Sequence, residues 1–504
     1  MTETVVEPAV TPDPGKLGSH PRGLYTLFFT EMWERFSYYG MRALLVLFMV
    51  DGARGGLGFE DKTATAVYGL YTAAVYLVAL PGGWIADRLI GAQRAVWFGG
   101  IIIASGHFVL AIPTMQAFFL GLVLVVLGTG LLKPNISAIV ADLYPEGGAR
   151  RDAGFTIFYM GINVGAATGP LICSTLGEQL NWHYGFAAAG VGMVLGLIQF
   201  KLTAKHLGNA GLSPVAHTKG ETISPEAHRK HWLAVWAGVA AIAILVGMGL
   251  TGAIKFDPIT LARSSTTLIL GLAAAYFGYM FFFAGLTTDE KKRTFVILIL
   301  FLAAAVFWSG FEQAGSTLNL FAERYTDRTI GSFTVPAGWY QSLNAVFIIV
   351  FAPVFAAVWV SLARRNLDPS IPVKFGLGLL ILASGFAMMI FAAHLVTDGG
   401  KAGPMWLVMT YLLHTYGELC LSPVGLSSVT KLAPKRFVGQ MMGIWFLAAS
   451  LGNLIAGLLA GRFSADRVEE MPDLYLQIVL TTAGAGLLLL AFSKPIRKMI
   501  GKVH

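Results

Sequence analysis

The sequence predicts an all-α membrane protein with fourteen transmembrane helices, arranged as two six-helix bundles plus an inserted two-helix hairpin. Three observations predict it. Only 13% of the 504 residues are charged and 55% are hydrophobic, against about 25% charged in an average soluble domain, so a soluble chain of this size could not cover its surface. The apolar residues fall in runs of about 20 or more, the length that crosses a hydrocarbon core as a helix. Lys and Arg are also shared unequally between alternate connecting segments. These features exclude a soluble enzyme, a disordered scaffold and a nucleic-acid-binding protein. The formal charge of +8 sits in short loops between apolar runs, where it reads as membrane topology.

Taken in order, residues 1–22 form a polar, Pro-rich tail in which Glu3, Glu7 and Asp13 precede the first basic residue, Lys16. A cleavable leader would open on basic residues and a short apolar core, so the first apolar run is expected to stay as a span. The expected spans are 23–50, 63–89, 95–113, 116–141, 153–176 and 183–203 in an N-terminal bundle covering 23–204. Residues 205–230, with Gly, Ser, Pro and three His, read as a cytoplasmic linker. The next two spans, 231–253 and 265–287, have no ionisable residue in their cores. Helices that are apolar all round have no cavity to line, so 231–287 reads as a peripheral hairpin. Spans 294–322, 337–362, 373–395, 404–431, 437–461 and 473–493 complete a C-terminal bundle over 288–494, followed by a tail at 495–504. Six plus six suggests two halves related by a pseudo-two-fold axis. With the N-terminus inside, 24 Lys and Arg fall on inner segments, 9 on outer ones and 3 within spans, which places both termini in the cytoplasm. Cys173 and Cys420 lie in apolar stretches and read as packing residues.

Seven ionisable residues fall well inside these spans: Glu31, Glu34, Arg35, Arg42, Lys133, Glu312 and Glu418. At about 3 kcal/mol each, they would cost roughly 20 kcal/mol facing lipid, more than the typical net stability of about 5–15 kcal/mol. They must pair or face a wet interior. Ion pairs that only fix helix packing are the plainer reading, but such pairs rarely repay their desolvation. Four of the seven lie in the first span, where Glu31 reaches Glu34 at i+3 and Arg35 at i+4, while Arg35 reaches Tyr38, Tyr39 and Arg42 along one face. Two carboxylates one turn apart resist joint ionisation and favour holding a proton. The same stripe offers guanidinium forks for carboxylates and phenols for hydrogen bonds. Three cations against four anions sum to −1, so one proton neutralises the set, as cargo or as driver.

At these residues the sequence resembles the proton-dependent oligopeptide transporter family of the major facilitator superfamily, in its bacterial fourteen-helix form. The ExxER signature stands as Glu31, Glu34 and Arg35, followed by Phe36-Ser37-Tyr38-Tyr39-Gly40-Met41-Arg42. Gly82-Gly83-Trp84-Ile85-Ala86-Asp87-Arg88 and Lys133-Pro134-Asn135 follow, then Phe158-Tyr159-Met160-Gly161-Ile162-Asn163-Val164-Gly165, Phe311-Glu312-Gln313, Gln341-Ser342-Leu343-Asn344 and Gly417-Glu418-Leu419-Cys420-Leu421-Ser422-Pro423. The resemblance implies the major facilitator fold and a symporter for di- and tripeptides working by alternating access in a bacterial inner membrane. It assigns proton handling to Glu31, Glu34 and Glu312, with Arg35 and Lys133 as partners. The peptide carboxylate would meet Arg35, Arg42 and Lys133, with Tyr38, Tyr39 and Tyr76 lining the pocket. Its amino group would meet Glu418, Asn163 and Asn344, and Trp445 would wall a side-chain pocket. Arg42 would pair with Glu312 when no peptide carboxylate is bound. The chain departs from the family pattern at Phe311, Ala345 and Ala449. It is expected to act as a monomer in the bilayer, without cofactor or metal, with protons as the coupling ion. A carrier of the same fold for nitrate, drugs or another organic anion is the alternative, and a membrane scaffold or receptor a third reading.

Weaker signals complete the sequence. Asp87 and Arg88 close the second span and read as a gate latch, or as topology-setting charge. His414, one turn before Glu418, reads as a packed histidine, and His107 and His183 as structural ones. The Asn135-Ile136-Ser137 glycosylation pattern lies within a span and is discounted. HExxH, GxSxG, P-loop and metal-spaced Cys/His patterns do not occur in the sequence, so no enzyme activity is expected and an ion gradient must power any transport.

Overall fold

The structure, a computed structural model, describes residues 20–214, 224–463 and 467–501. Most of the expected N-terminal tail, the middle of the linker and the end of the C-terminal tail lie outside the described residues. The N-terminal bundle consists of α1 (Arg22–Val50), α2 (Asp61–Ile85), α3 (Ala92–Leu110), α4 (Met115–Asp142), α5 (Gly148–Gln179) and α6 (Trp182–Thr203). The hairpin is α7 (Pro225–Leu250) and α8 (Pro258–Phe282). The C-terminal bundle follows as α9 (Thr288–Phe311), the short α10 (Thr317–Tyr325), α11 (Ser342–Arg364), α12 (Ile371–Thr397), α13 (Met405–Leu432), α14 (Val438–Ala460) and α15 (Met471–Ala491), ending in α16 (Ser493–Ile500).

Among the described residues, eleven of these helical stretches are long and apolar enough to cross a membrane. The other three long helices, α1, α3 and α13, stand at expected spans. Their hydropathy is lowered by Glu31, Glu34, Arg35 and Arg42 in α1, Arg94 and His107 in α3, and His414 and Glu418 in α13.

Three of the expected spans are present but built differently from what their apolar runs suggest. The ninth span, expected as one run over 294–322, is broken: α9 stops at Phe311, and a 3-10 turn over Glu312–Gly315 leads into α10. Ser316 leaves helical geometry at φ −125°, ψ −94°, and the Gln313 side-chain oxygen Oε1 accepts from Thr317 Oγ1 at 3.0 Å, holding the restart in place. Both hairpin helices also begin six or seven residues earlier than their apolar cores suggest. Ser224 Oγ accepts from Ala227 N with Pro225 in the first turn, and the Asp257 carboxylate accepts from the N–H groups of Ile259 and Thr260 ahead of Pro258. Such caps satisfy the orphan donors of a helix start, so they, and not the onset of hydrophobicity, set where a helix begins.

Within the first bundle, α1 packs on α5 and α6, and α4 on α2 and α3; within the second, α12 packs on α13 and α15, and α9 on α14. The bundles meet along two seams, α2 with α14 and α5 with α11. Gly69 and Gly457 allow the first seam to close, since a Cβ on Gly69 would stand 3.0 Å from Gly457 Cα. Ser450 Oγ donates across the same seam to Ala73 O at 3.1 Å. Within the first bundle, Pro134 has no N–H to donate to the Gly130 carbonyl one turn earlier. Gly82 approaches that carbonyl so closely that a Cβ there would lie 1.9 Å from the oxygen. Asn135 ties the same contact down, donating to Leu131 O at 2.6 Å and Gly82 O at 3.3 Å. The hairpin is peripheral: α8 packs on α2 and α14, whereas α7 buries no residue and touches the end of α2, where His231 stands edge-on to Trp84, and the turn that follows. The free cysteines are both buried.

Candidate functional site

The charged residues of α1 gather beneath the seam between the bundles. Arg35, Glu31 and Glu34 are each at most 4% exposed. Arg35 Nε lies 2.8 Å from Glu31 Oε1 and 2.6 Å from Glu34 Oε2, and its guanidinium lies 5.5 Å from the Tyr38 ring centre. Glu31 Oε2, Glu34 Oε1 and Arg35 Nη2 are buried without a hydrogen-bond partner among the described residues. The cluster therefore retains both donor and acceptor capacity. Lys133, from α4, stands 4.2 Å from the Tyr76 ring centre, within electrostatic reach of Arg35, Glu34 and Glu31. The loss of a helical hydrogen bond at Pro134 places this ammonium beside a locally weakened turn.

Two turns along α1, Arg42 crosses to the other bundle. Its Nη2 lies 2.9 Å from Glu312 Oε2, with both side chains 7% exposed. The break after α9 puts Glu312 at the start of the 3-10 turn, where it meets Arg42 of α1 and Tyr68 of α2. Tyr39 is half-buried beside the same guanidinium, its ring centre 5.6 Å away. A separate polar group lies on α11 and α13: Asn344 Nδ2 donates to Glu418 Oε2 at 3.0 Å and to Thr415 Oγ1 at 3.1 Å. Glu418 lies within electrostatic reach of Glu312 and Arg42. A cation from the first bundle thus lies within electrostatic reach of an acid from the second that is held by an amide.

Asn163 donates within its own helix to Tyr159 O at 2.9 Å, and no bond joins it to Glu418 among the described residues. Trp445, half-buried on α14, lays its ring against Gly425 of α13, where a Cβ would come within 2.2 Å, and stands edge-on to Phe375. Asp87 and Arg88 lie in a single π turn, Ala86–Ile90, that ends α2. His414 is buried between Phe311 and Phe386, and His107 is fully buried.

Sequence reasoning missed two sets of residues. One is Tyr68 of α2, whose hydroxyl touches both Arg42 and Glu312. The signal was a tyrosine stripe in one apolar span, Tyr68, Tyr71 and Tyr76. The other is a clamp on the face opposite the chain ends, where the bundles are tied by ions. Arg324 grips Asp61 through two bonds of 2.7 and 2.8 Å. Arg54 bridges Asp51 at 2.6 Å and Glu323 at 3.2 Å. Burial pushes the Asp51 carboxyl up, but backbone N–H bonds from the Arg54 turn and the Arg54 guanidinium outweigh it and hold the group below its usual range. Glu178, ending α5, accepts from Ala337 N at 2.6 Å and Gly338 N at 2.9 Å, at the start of the turn that leads into α11. Asn319 of α10 donates to Ala43 O at 2.8 Å just below.

Fold and site together define a helical membrane transporter of the major facilitator type. Its charges are shared between two bundles that are closed against each other on one face. Residues 93–473 match the family described as PTR2, POT family. The chain belongs to the POT family. It is 42% identical to the peptide transporter YePEPT of Yersinia enterocolitica, with 98% of each chain covered. It is 37% identical to a di-/tripeptide transporter of Lactococcus lactis, covering 96% of this chain and 97% of that one. Among solved structures it is similar to a peptide transporter POT in complex with sulfate, with a TM-score of 0.88, 41% identity and 96% of both chains covered. It is also similar to a POT family transporter in complex with 5-aminolevulinic acid, with a TM-score of 0.84, 34% identity and 95% and 98% coverage.

Proposed function

We propose that this chain is a proton-coupled symporter that imports di- and tripeptides by alternating access. The observation that carries the reading is the buried Arg42–Glu312 pair, which joins the two bundles at 2.9 Å. While Glu312 is ionised it holds Arg42. When it is protonated, Arg42 is released to bind the peptide carboxylate together with Arg35 and Lys133, with Tyr38, Tyr39 and Tyr76 around it. By linkage, a bound carboxylate then favours protonation of Glu312 by the same factor. The Glu31–Glu34–Arg35 cluster, with its unpartnered atoms, supplies the proton-exchanging group next to that carboxylate. Glu418, with Asn344 and Asn163, receives the peptide ammonium, and Trp445 walls the side-chain region. A site that grips termini and backbone and leaves side chains to aromatic walls accepts many peptides. An acid opposite the cations favours a zwitterion over nitrate or another simple anion. The names of the relatives, peptide transporter and di-/tripeptide transporter, support the substrate class.

In this reading Asp87 and Arg88 act as a latch at the cytoplasmic end, both termini are cytoplasmic, and the monomer works in the inner membrane without cofactor. The test is uptake of labelled dialanine into liposomes holding the purified chain. Accumulation should rise when the outside is made acidic, and tripeptides should compete while nitrate does not. Glu312→Gln should abolish accumulation while peptide exchange continues. Gradient-driven accumulation by that variant would remove Glu312 from coupling, and accumulation blind to the gradient in the unaltered chain would remove coupling altogether.

A further inference from the structure

One side chain at the Arg42–Glu312 pair has no role in the reading above. Tyr68, on α2, is fully buried. Its hydroxyl accepts from Arg42 Nε at 2.7 Å and donates to Glu312 Oε2 at 3.3 Å, the same oxygen that Arg42 Nη2 approaches at 2.9 Å. The ring is seated on the 3-10 turn that breaks α9. A Cβ on Gly315 would stand 2.0 Å from the phenol oxygen and 2.4 Å from the ring carbon that carries it. No side chain fits at Gly315 while the phenol is in place. The turn that presents Glu312 and the ring from the opposite bundle are therefore fitted to each other, and the phenol touches both ions without adding a charge.

We propose that Tyr68 is a positioning residue for proton coupling, whose hydroxyl stays bonded to Glu312 in both protonation states. A phenol is donor and acceptor at once. To the ionised carboxylate it donates, as seen. When Glu312 binds a proton, its O–H becomes a donor, the phenol hydroxyl rotates, and a lone pair of the phenol oxygen receives the bond as Arg42 turns toward a peptide carboxylate. Charged and titratable groups face this point from α1 (Arg42, Tyr38, Tyr39), α2 (Tyr71, Tyr76), α4 (Lys133) and α13 (Tyr411, Glu418). Among the described residues, Arg42 and Tyr68 are the bonded partners of the Glu312 carboxyl. Once Arg42 has left, the phenol alone remains to satisfy a carboxyl that is 5% exposed, and a buried donor without a partner is costly. The ionised form depends on it less, because Arg42 holds that form. Removing the hydroxyl therefore penalises the protonated state more than the ionised one.

The inference rests on the coupled-transport reading, so the unaltered chain is assayed first; if it does not respond to an acid-outside gradient, that reading fails. Tyr68→Phe, which keeps the ring, is then compared in the same liposomes for dialanine exchange without a gradient and for accumulation with one. Accumulation should fall roughly tenfold, the equilibrium equivalent of one unmet buried donor, while exchange falls less than threefold. Gly315→Ala, which must displace the phenol, should give the same split. Tyr68→Phe accumulating like the unaltered chain, or losing exchange and accumulation together, would overturn the proposal.

Discussion

Replacing Glu178 by glutamine isolates what holds the bundles shut on the face opposite the chain ends. The carboxylate closes α5 onto the turn before α11 by accepting two backbone N–H bonds, 2.6 Å from Ala337 and 2.9 Å from Gly338, with Arg328 Nη1 3.7 Å away. Ser174 shares this contact, because a Cβ on Gly338 would stand 2.0 Å from its Oγ. Hydrogen bonds to a charged group contribute about 1.5–3 kcal/mol each, against about 1 kcal/mol for neutral ones. Glu178→Gln keeps the shape and one acceptor oxygen, but loses the charge and the second bond. The net loss is about 2 kcal/mol, which shifts the ratio of closed to open forms of this face roughly 30-fold. Spin labels on cysteines introduced at the exposed positions Ala53 and Lys401, one on each bundle, would read this as a distance distribution. The native thiols are both buried, which keeps background labelling low. The variant should move population from the short distance to a longer one in liposomes without peptide. An unchanged distribution would refute the assignment of Glu178 as a tie between bundles and leave closure to the surrounding ion pairs.

Three further outcomes are expected. Lys133→Ala removes the cation that stands 4.2 Å over Tyr76, and should lower gradient-driven dialanine uptake at least tenfold; unaltered kinetics would make Lys133 structural. Asn344→Ala deletes the 3.0 Å donor to Glu418, a bond worth about 1.5–3 kcal/mol. It should raise the KM for dialanine about tenfold but change inhibition by N-acetyl-dialanine little, and equal effects on both would separate Glu418 from the ammonium. Gly82→Ala sets a methyl 1.9 Å from the Gly130 oxygen, an overpacking that costs about 1–3 kcal/mol. It should lower the thermal unfolding midpoint in detergent, and an unmoved midpoint would mean that α2 and α4 part freely.

The helices were legible because a bilayer admits few alternatives: a spanning backbone must satisfy itself, and only long apolar runs do so cheaply. The ExxER stripe was legible for the converse reason, since ions inside such a run stand out. The break at Glu312 was not, because the short polar stretch Glu312-Gln313-Ala314-Gly315-Ser316-Thr317 lies between apolar residues that a single helix could join, and the turn there is fitted to Tyr68 by a tertiary contact. Tyr68 itself was hidden, since a tyrosine in an apolar span reads equally well as packing until its hydroxyl is seen between two ions. Arg54, Arg324 and Arg328 were counted only as minority charges on the outer side. Their pairing with Asp51, Asp61 and Glu323 joins residues more than 250 positions apart in two of the bonds, and no local pattern encodes that. Likewise, Asn163 and Asn344 share a residue type, but only Asn344 bonds Glu418 among the described residues.

The hairpin has a mechanical consequence. Because α8 leans at once on α2 and α14, one helix from each half, it straddles the line along which the halves would rock in the proposed alternating access. Any swing about that line drags one flank of α8 or slides beneath it, while α7, which buries nothing, rides along in the lipid. The insertion thus behaves as a strap over one pivot, limiting how far the halves can splay on that edge and leaving the α5–α11 edge the freer of the two.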